Sequence, residues 1–243
     1  MTEGTASDVS LLIDYLPAYV FPKSERYITS NLVLGVSLGG HAAWSCILHE
    51  PRIQGGVVII GCPDYVNLMA DRARLSKRPS WQDSSPPGSQ FLGSEDFPVA
   101  LHDAVRKKDP ASLFLSHMNI PASNGPLREE ALPLPSDEEK KALRETLTKC
   151  LAGKKIMNLS GGADKLVPYH RGEPLLTWLK NAIRPGGWFE DGSVSLEDII
   201  FEGVGHEVSP TMVEQAVRFI SEFSVKKDES EGPKKGRVRD FRL

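Results

Sequence analysis

Short apolar runs alternate with amphipathic segments along most of this 243-residue chain. Four of the runs are brief and mainly apolar, which is typical of strands buried in a parallel sheet. These predicted strands are residues 31–36, 57–60, 156–159 and 198–201. A glycine-containing loop or a segment of helical periodicity follows each of them. The pattern therefore predicts strands that alternate with helices.

The predicted helices combine apolar residues at helical spacing with recognisable start and stop residues. They cover residues 9–20, 41–49, 99–108, 136–151, 174–183 and 210–223. The clearest begins at Ser136, which forms a capping box with Glu139, and it ends before Gly153. Pro17 is expected to break or kink the first helix, because proline lacks the backbone N–H. Strands and helices in this order predict an α/β fold with a mainly parallel sheet and helices on both faces.

Residues 63–150 interrupt the alternation. The segment is rich in proline and serine, and residues 63–135 read as irregular apart from the helix at 99–108. We expect it to be a cap or lid inserted into one domain of residues 1–225. Its aromatic residues Trp81, Phe91 and Phe97 fit a satellite core under a long loop better than an acyl pocket. The polar residues 226–243 are predicted to be a disordered tail.

Composition and charge exclude several classes of protein. With 29 basic and 32 acidic residues, the formal net charge of -3 gives no reason to expect nucleic acid or an anionic membrane as a partner. No apolar run is long enough to span a bilayer, and the polar, acidic N-terminus does not resemble a secretory signal. The three cysteines, Cys46, Cys62 and Cys150, form neither a disulfide framework nor a metal-binding spacing. The cytoplasm is therefore the expected compartment.

One motif carries candidate chemistry. Gly35-Val36-Ser37-Leu38-Gly39 matches G-x-S-x-G, the pattern of a nucleophile elbow. In such an elbow a sharp strand-to-helix turn exposes the serine hydroxyl and directs the next backbone N–H, that of Leu38, at the substrate oxygen. The pattern alone arises by chance in about one chain in ten of this size. Here it lies between a predicted strand and a predicted helix, which is the context that the motif requires.

A serine nucleophile needs a base, and the base needs a carboxylate that holds its tautomer. Asp164 follows the third predicted strand, and His206 follows the fourth. The carboxyl ends of parallel strands meet at one edge of a sheet, so both side chains are expected near Ser37. Asp64, just after the second strand, is the alternative acid. His41 lies in the first turn after the motif, where packing and substrate contact are both open.

The segments GVSLGGH, GGADKLVP and GVGHEV resemble the nucleophile, acid and histidine blocks of α/β-hydrolases, above all of the esterase, dienelactone-hydrolase and prolyl-oligopeptidase-like branches. The resemblance covers about residues 9–223. It implies an α/β-hydrolase fold and a serine hydrolase that acts on a small-molecule ester, thioester or peptide without a metal or organic cofactor. Ser37, Asp164 and His206 would be its nucleophile, acid and base. The other histidines show no metal-ligand spacing.

The chain departs from the family pattern before the motif. Only one helix is predicted ahead of the strand that leads to Ser37, so the fold is expected to be partial, without the N-terminal strands. The second oxyanion-hole donor, which a preceding loop supplies in the family, has no visible counterpart. The sheet should also have an exposed edge, which a homo-oligomer or another partner would cover. The alternative function is therefore a non-catalytic remnant of the fold that binds a ligand or a partner.

Overall fold

The computed structural model describes residues 2–120 and 126–230, which divide into one unit up to Val208 and a second from Ser209 onward. The strands are β1 (Asn31–Val36), β2 (Ile53–Ile59), β3 (Lys155–Gly161) and β4 (Ser195–Phe201). The helices are α1 (Thr2–Val20), α2 (Leu38–His49), α3 (Tyr65–Leu75), α4 (Pro79–Gln82), α5 (Val99–Lys108), α6 (Pro110–Leu115), α7 (Asp137–Leu151), α8 (Glu173–Ile183) and α9 (Pro210–Ser230). Tyr169–Arg171 and Glu190–Gly192 form short 3₁₀ turns.

The strands form one parallel sheet in the order β1-β2-β3-β4. The pairs Val36–Ile59, Ile59–Leu159 and Leu159–Ile199 bring the carboxyl ends of all four strands to one edge. Every crossover steps in the same direction, so right-handed connections place their helices on the same face of the sheet. The predicted parallel α/β class is confirmed, and that helices cover both faces of the sheet stays a prediction.

The main core of the first unit lies between that face and its helices. It contains buried side chains from α2, α6, α7 and α8, with Val58 and Ile156 of the sheet. Representative members, all at most 4% exposed, are Trp44, Ile47, Phe114, Leu147 and Trp178. Fully burying side chains of this size contributes about 1.5–3 kcal/mol each, so this cluster holds the helices against the strands that carry the site.

The prediction that residues 63–135 are irregular, apart from one helix, is wrong. The segment also contains α3, α4 and α6. Asp64 accepts the N–H of Asn67 at the start of α3, and Asp109 accepts that of Ser112 at the start of α6. Aspartate at a helix start satisfies N–H groups that have no acceptor within the helix. Local capping, rather than a long apolar run, therefore marks the starts of α3 and α6.

Part of this segment forms a core of its own. Trp81, Phe91 and Phe97 pack with Val66 and Val105 in a separate buried cluster, as a satellite core requires. In contrast, α7 packs into the main core. That residues 63–150 act as a cap over a site stays a prediction.

The helix before the sheet is longer than predicted. It begins at Thr2 instead of residue 9 and continues past Pro17 to Val20. Val9 and Ile13 pack against the main core. Within the described residues β1 is an edge strand, and Leu34 and Val36 are 49% and 38% exposed. The partner expected to cover this edge stays a prediction.

Strand ends also extend beyond the apolar runs. β2 begins at Ile53 and includes Gly55, where a Cβ would lie 2.3 Å from the carbonyl oxygen of Lys155. Only glycine lets β2 and β3 approach this closely, so a residue of low strand propensity belongs to the strand.

The second unit contains α9, which runs to Ser230 rather than ending near residue 223 as predicted. Ser209 accepts the N–H of Met212, and Arg218 pairs with Glu222 one turn later. Of the predicted disordered tail, residues 231–243 lie outside the described residues. Among those that are described, no helix has both the length and the apolar character that a bilayer span requires.

Candidate active site

Ser37 lies in the turn between β1 and α2, at the carboxyl edge of the sheet. Its φ of 54° and ψ of -115° are unusual for a residue with a side chain. Such a conformation costs on the order of 1–3 kcal/mol and persists only where the surroundings enforce it. Here the Ser37 N–H donates to Ile59 O at 2.9 Å, and the N–H of Gly40 donates to Ser37 O at 2.8 Å. The strand and the helix thus fix the turn from both sides.

Glycine is required at two positions around this turn. At Gly35 a Cβ would lie 2.0 Å from Gly39 O, and at Gly40 it would lie 2.9 Å from Gly61 Cα. At Gly39, the last glycine of the G-x-S-x-G pattern, a Cβ would meet nothing within 4 Å. The close packing of the new helix therefore depends on Gly35 and also on Gly40, which the pattern does not include.

The structure brings three of the predicted residues together. Ser37 Oγ lies 2.8 Å from His206 Nε2, and His206 Nδ1 lies 2.8 Å from Asp164 Oδ2. The Asp164 carboxylate only accepts hydrogen bonds when ionised, so Nδ1 carries the proton. His206 Nε2 is then left with a lone pair that faces the serine hydroxyl. This is the geometry in which an imidazole removes a proton from a serine.

Asp164 is held rigidly by the turn after β3. Its Oδ1 accepts the N–H groups of Leu166 and Val167 at 2.8 and 2.9 Å, while Oδ2 accepts from His206. Its side chain is fully buried. The two loops that carry the acid and the base also touch, because a Cβ on Gly161 would lie 2.5 Å from Gly205 O. Backbone contacts therefore set the orientation of the imidazole.

Asp64, the alternative acid, lies in a different environment from Asp164. Both of its carboxylate oxygens bind the Arg128 guanidinium, at 2.7 and 2.8 Å, and Oδ1 also accepts the N–H of Asn67. Asn67 in turn exchanges hydrogen bonds with the backbone of Arg128. Asp64 thus anchors residues near 128 to the start of α3, and Asp164 is the carboxylate that reaches His206.

Leu38 is the first residue of α2, so its backbone N–H has no acceptor within the helix. The helix start also carries a partial positive charge, which favours an anion at this position. Because Leu38 directly follows Ser37, an oxygen bound there would lie beside the serine hydroxyl.

A cavity of about 390 Å³ lies next to the turn, with Leu38 and His41 in its wall. His41 Nδ1 lies 2.9 Å from Cys62 O, and a carbonyl only accepts, so Nδ1 carries the proton. Burial lowers the pKa of His41, which favours the neutral imidazole. His41 thus lines the cavity, and a contact between His41 and a substrate stays a prediction. Residues 38, 41 and 45 are three and four apart in the sequence, and this helical spacing could have indicated that they lie on the same side of the cavity.

Cys62 is a buried residue, as expected for a small apolar side chain at a strand end. Burial raises the pKa of its thiol well above the ordinary value, so the thiolate nucleophile is disfavoured. Throughout residues 2–120 and 126–230, no group of three or more His, Cys, Asp or Glu side chains is arranged to hold a metal ion.

No known protein-family model matches the chain, and no curated protein matches it. Several solved structures are similar to it. Arabidopsis thaliana SOBER1 shows 15% identity and a TM-score of 0.38, over 89% of this chain and 64% of that one. Esterase PE8 shows 12% identity and a TM-score of 0.41, over 89% and 61%. An acylaminoacyl peptidase from Pyrococcus horikoshii shows 11% identity and a TM-score of 0.46, over 91% and 27%.

The chain thus spans less than two thirds of the length of these solved structures. All of them are α/β-hydrolases, and at such low identities and TM-scores their names say nothing of the reaction of this chain. The parallel sheet and the strand–serine–helix turn at Ser37 agree with the α/β-hydrolase fold that the sequence predicts.

Proposed function

We propose that this chain is a serine hydrolase that cleaves a carboxylic ester or a related acyl compound through an acyl-enzyme on Ser37. The observation that carries the proposal is a pair of hydrogen bonds, one between Ser37 and His206 and one between His206 and Asp164, each 2.8 Å long. The strained conformation of Ser37 is a second support, because backbone strain is concentrated at functional sites. The substrate would be a small acyl compound.

In the first half of the reaction, Ser37 Oγ attacks the carbonyl carbon and its proton passes to His206 Nε2. Asp164 holds the imidazole and stabilises the imidazolium that forms. The bond to the leaving alcohol then breaks, and His206 returns the proton to the alcohol oxygen. In the second half, water attacks the acyl group with His206 as base, the acid departs, and Ser37 regains its proton.

The negative charge that develops on the carbonyl oxygen needs a donor. The free N–H of Leu38 at the start of α2 supplies one, in the position next to the nucleophile. Removal of a single donor from such a site costs on the order of 100- to 1000-fold in turnover. The amount of activity therefore depends on how many donors the folded protein offers.

The test is labelling of the purified full chain with a fluorophosphonate probe, in which a serine oxygen displaces fluoride from phosphorus. We expect an adduct on Ser37, identified by peptide mass spectrometry. The His206→Ala protein should label at least about 1000-fold more slowly, since the base is lost. His117→Ala is the matched control, because His117 bonds to Thr146 outside the site.

Labelling of Ser37 at equal rates in the wild-type and His206→Ala proteins would rule out the base assigned here. Absence of any adduct on a protein with a cooperative thermal transition would favour the second candidate, a fold that binds a ligand without turnover. For the compartment we propose the cytoplasm, supported by the three free and buried thiols Cys46, Cys62 and Cys150.

A further inference from the structure

Residues 164–171, the acid loop, are held from one side by α3. Asn67 Nδ2 donates to the carbonyl oxygen of Arg171 at 2.8 Å, and Asp71 forms an ion pair with the Arg171 guanidinium at 3.1 Å. Asn67, Asp71 and Arg171 are all at most 4% exposed, so water does not compete for these contacts. Helix α3 and the end of the acid loop are therefore fixed to each other.

A further contact from α3 reaches the acid through one peptide group. Arg72 Nη2 donates to the carbonyl oxygen of Leu166 at 2.7 Å. That oxygen belongs to the peptide group whose N–H, on Val167, donates to Asp164 Oδ1 at 2.9 Å. In a trans peptide group the carbonyl oxygen and the N–H point in opposite directions, so the two hydrogen bonds lie on opposite sides of the same rigid plane. A single peptide group thus connects Arg72 to Asp164.

The line of hydrogen bonds continues from Asp164 to the nucleophile. Asp164 Oδ2 accepts from His206 Nδ1 at 2.8 Å, and His206 Nε2 lies 2.8 Å from Ser37 Oγ. Hydrogen bonds in such a chain polarise one another, and a charged donor gives the stronger bond. The guanidinium of Arg72 therefore makes the N–H on the other side of the peptide group a better donor to the carboxylate. Loss of Arg72 would weaken the hold on the group that orients the imidazole.

The surroundings of Arg72 are poor for a residue that serves stability alone. Within the described part of the chain it has no carboxylate partner. Its Nε is buried without a hydrogen-bond partner, and its Nη1 contacts Met69 Sδ at 3.8 Å. A buried N–H without an acceptor lowers stability. Leu166 is 52% exposed, so water can bind its carbonyl oxygen in place of the guanidinium. An apolar side chain at position 72 would therefore serve stability as well as arginine does.

We propose that Arg72 is a positioning residue for the acid of the site. Its guanidinium holds the peptide group between Leu166 and Val167, and this peptide group holds Asp164 in the orientation that reaches His206. The inference rests on the proposed function and adds a residue to its machinery. It also gives α3 a role in the reaction that is separate from covering the site.

The first test is the rate at which a fluorophosphonate probe labels Ser37 in the full chain. Arg72→Met removes the charge and the donor, and we expect labelling to slow about tenfold, the effect of one hydrogen bond. Arg72→Lys keeps both, and because the bond is single rather than bidentate it should label at least about threefold faster than Arg72→Met. Arg74→Met is the matched control and should label at the wild-type rate, because Arg74 lies on the same helix but pairs with Asp71.

A double-mutant cycle distinguishes action through Asp164 from a general loss of structure. In the Asp164→Ala protein the peptide group has no carboxylate to hold, so adding Arg72→Met should change the labelling rate by less than about twofold. The Tm of Arg72→Met should stay within about 4 °C of the wild type, since no ion pair is lost. A tenfold loss in both backgrounds, or a wild-type rate in Arg72→Met, would overturn the assignment.

A proton NMR measurement separates this inference from the proposed function. The Nδ1–H proton of His206, which binds Asp164, should give a downfield resonance that is absent from the His206→Ala protein. Arg72→Met should shift or broaden this resonance, whereas Arg74→Met should leave it in place. A changed resonance in Arg72→Met supports the positioning role even if the probe labels no serine, a result that would overturn the hydrolase alone. Labelling of Ser37 together with identical resonances in Arg72→Met and the wild type would support the hydrolase and overturn the role of Arg72.

Discussion

Replacing Gly35 with alanine is expected to destabilise the turn that carries Ser37. The alanine Cβ would lie 2.0 Å from the carbonyl oxygen of Gly39 and 2.4 Å from its carbonyl carbon. Both atoms belong to the backbone of α2, so no side-chain rotation relieves the overlap. An ordinary contact begins at 3.4 Å, so β1 and α2 would have to separate by about 1.4 Å.

The loss of stability in Gly35→Ala depends on how far the surrounding backbone can move. One extra methyl group in a packed interior typically costs about 1–3 kcal/mol, and a backbone obstacle places Gly35→Ala at the upper end. In a domain of this size each kcal/mol lowers the Tm by about 2–4 °C, so a fall of roughly 6–12 °C is expected. Separation of β1 from α2 would also move Ser37 away from His206, and fluorophosphonate labelling should slow.

Gly39→Ala is the matched control, since it adds the same methyl group two residues after Ser37. Its Cβ would meet nothing within 4 Å, and alanine is favoured over glycine in a helix by about 0.5–1 kcal/mol. Its Tm should equal or exceed that of the wild type. Thermal denaturation followed by circular dichroism measures both variants. Equal melting of Gly35→Ala and the wild type, or equal losses in the two variants, would refute this account of the turn.

Four further predictions follow from single side chains. Asp164→Asn should slow Ser37 labelling about 10⁴-fold because the imidazole loses its tautomer. Asp64→Ala should keep the labelling rate within about tenfold of the wild-type rate. It should lower the free energy of unfolding, measured with urea, by about 3 kcal/mol, because Arg128 loses its buried partner. For Asp109, burial raises the folded-state pKa to about 7 from 3.8, so the folded chain keeps a proton that the unfolded chain has lost. Its contribution to the unfolding free energy is then full below about pH 4 and falls as the pH rises to about 7; unfolding of Asp109→Asn across this range should show a shallower fall. Lys154→Met should lower the free energy of unfolding by about 1–3 kcal/mol, again measured with urea, because the buried ammonium donates to two carbonyls at the end of α2. An unchanged urea midpoint in Lys154→Met would contradict this expectation. A free energy of unfolding that falls with pH as steeply in Asp109→Asn as in the wild type would contradict the expectation for Asp109.

The repeating elements of the fold could be predicted because their signals are local. The apolar run at residues 31–36 matches β1 at both ends, and α5 spans residues 99–108 as predicted. The capping box at Ser136 and Glu139 is present at the start of α7. Each signal depends on neighbours within a few residues, so it survives without knowledge of the remainder of the chain.

The helices in residues 63–135 were missed although part of their signal is local too. Asp64 precedes Val66, Ala70 and Ala73, whose spacing is helical, and Asp109 precedes a proline at the first helical position. By its position after β2, Asp64 fits a candidate acid as well as a helix cap. A charged residue near a strand end serves either role, and only its partner, Arg128, distinguishes them.

The sequence by itself determined the parallel α/β class and the order of the candidate nucleophile, acid and base, because strand periodicity and the strand–serine–helix context are encoded by adjacent residues. Only the tertiary structure decided which carboxylate reaches His206, why glycine is needed at position 40, and where a cavity opens beside the turn at Ser37. These features depend on contacts at the edge of the sheet between residues that are far apart in the chain. Such contacts leave no pattern among neighbouring residues, so the sequence alone does not reveal them.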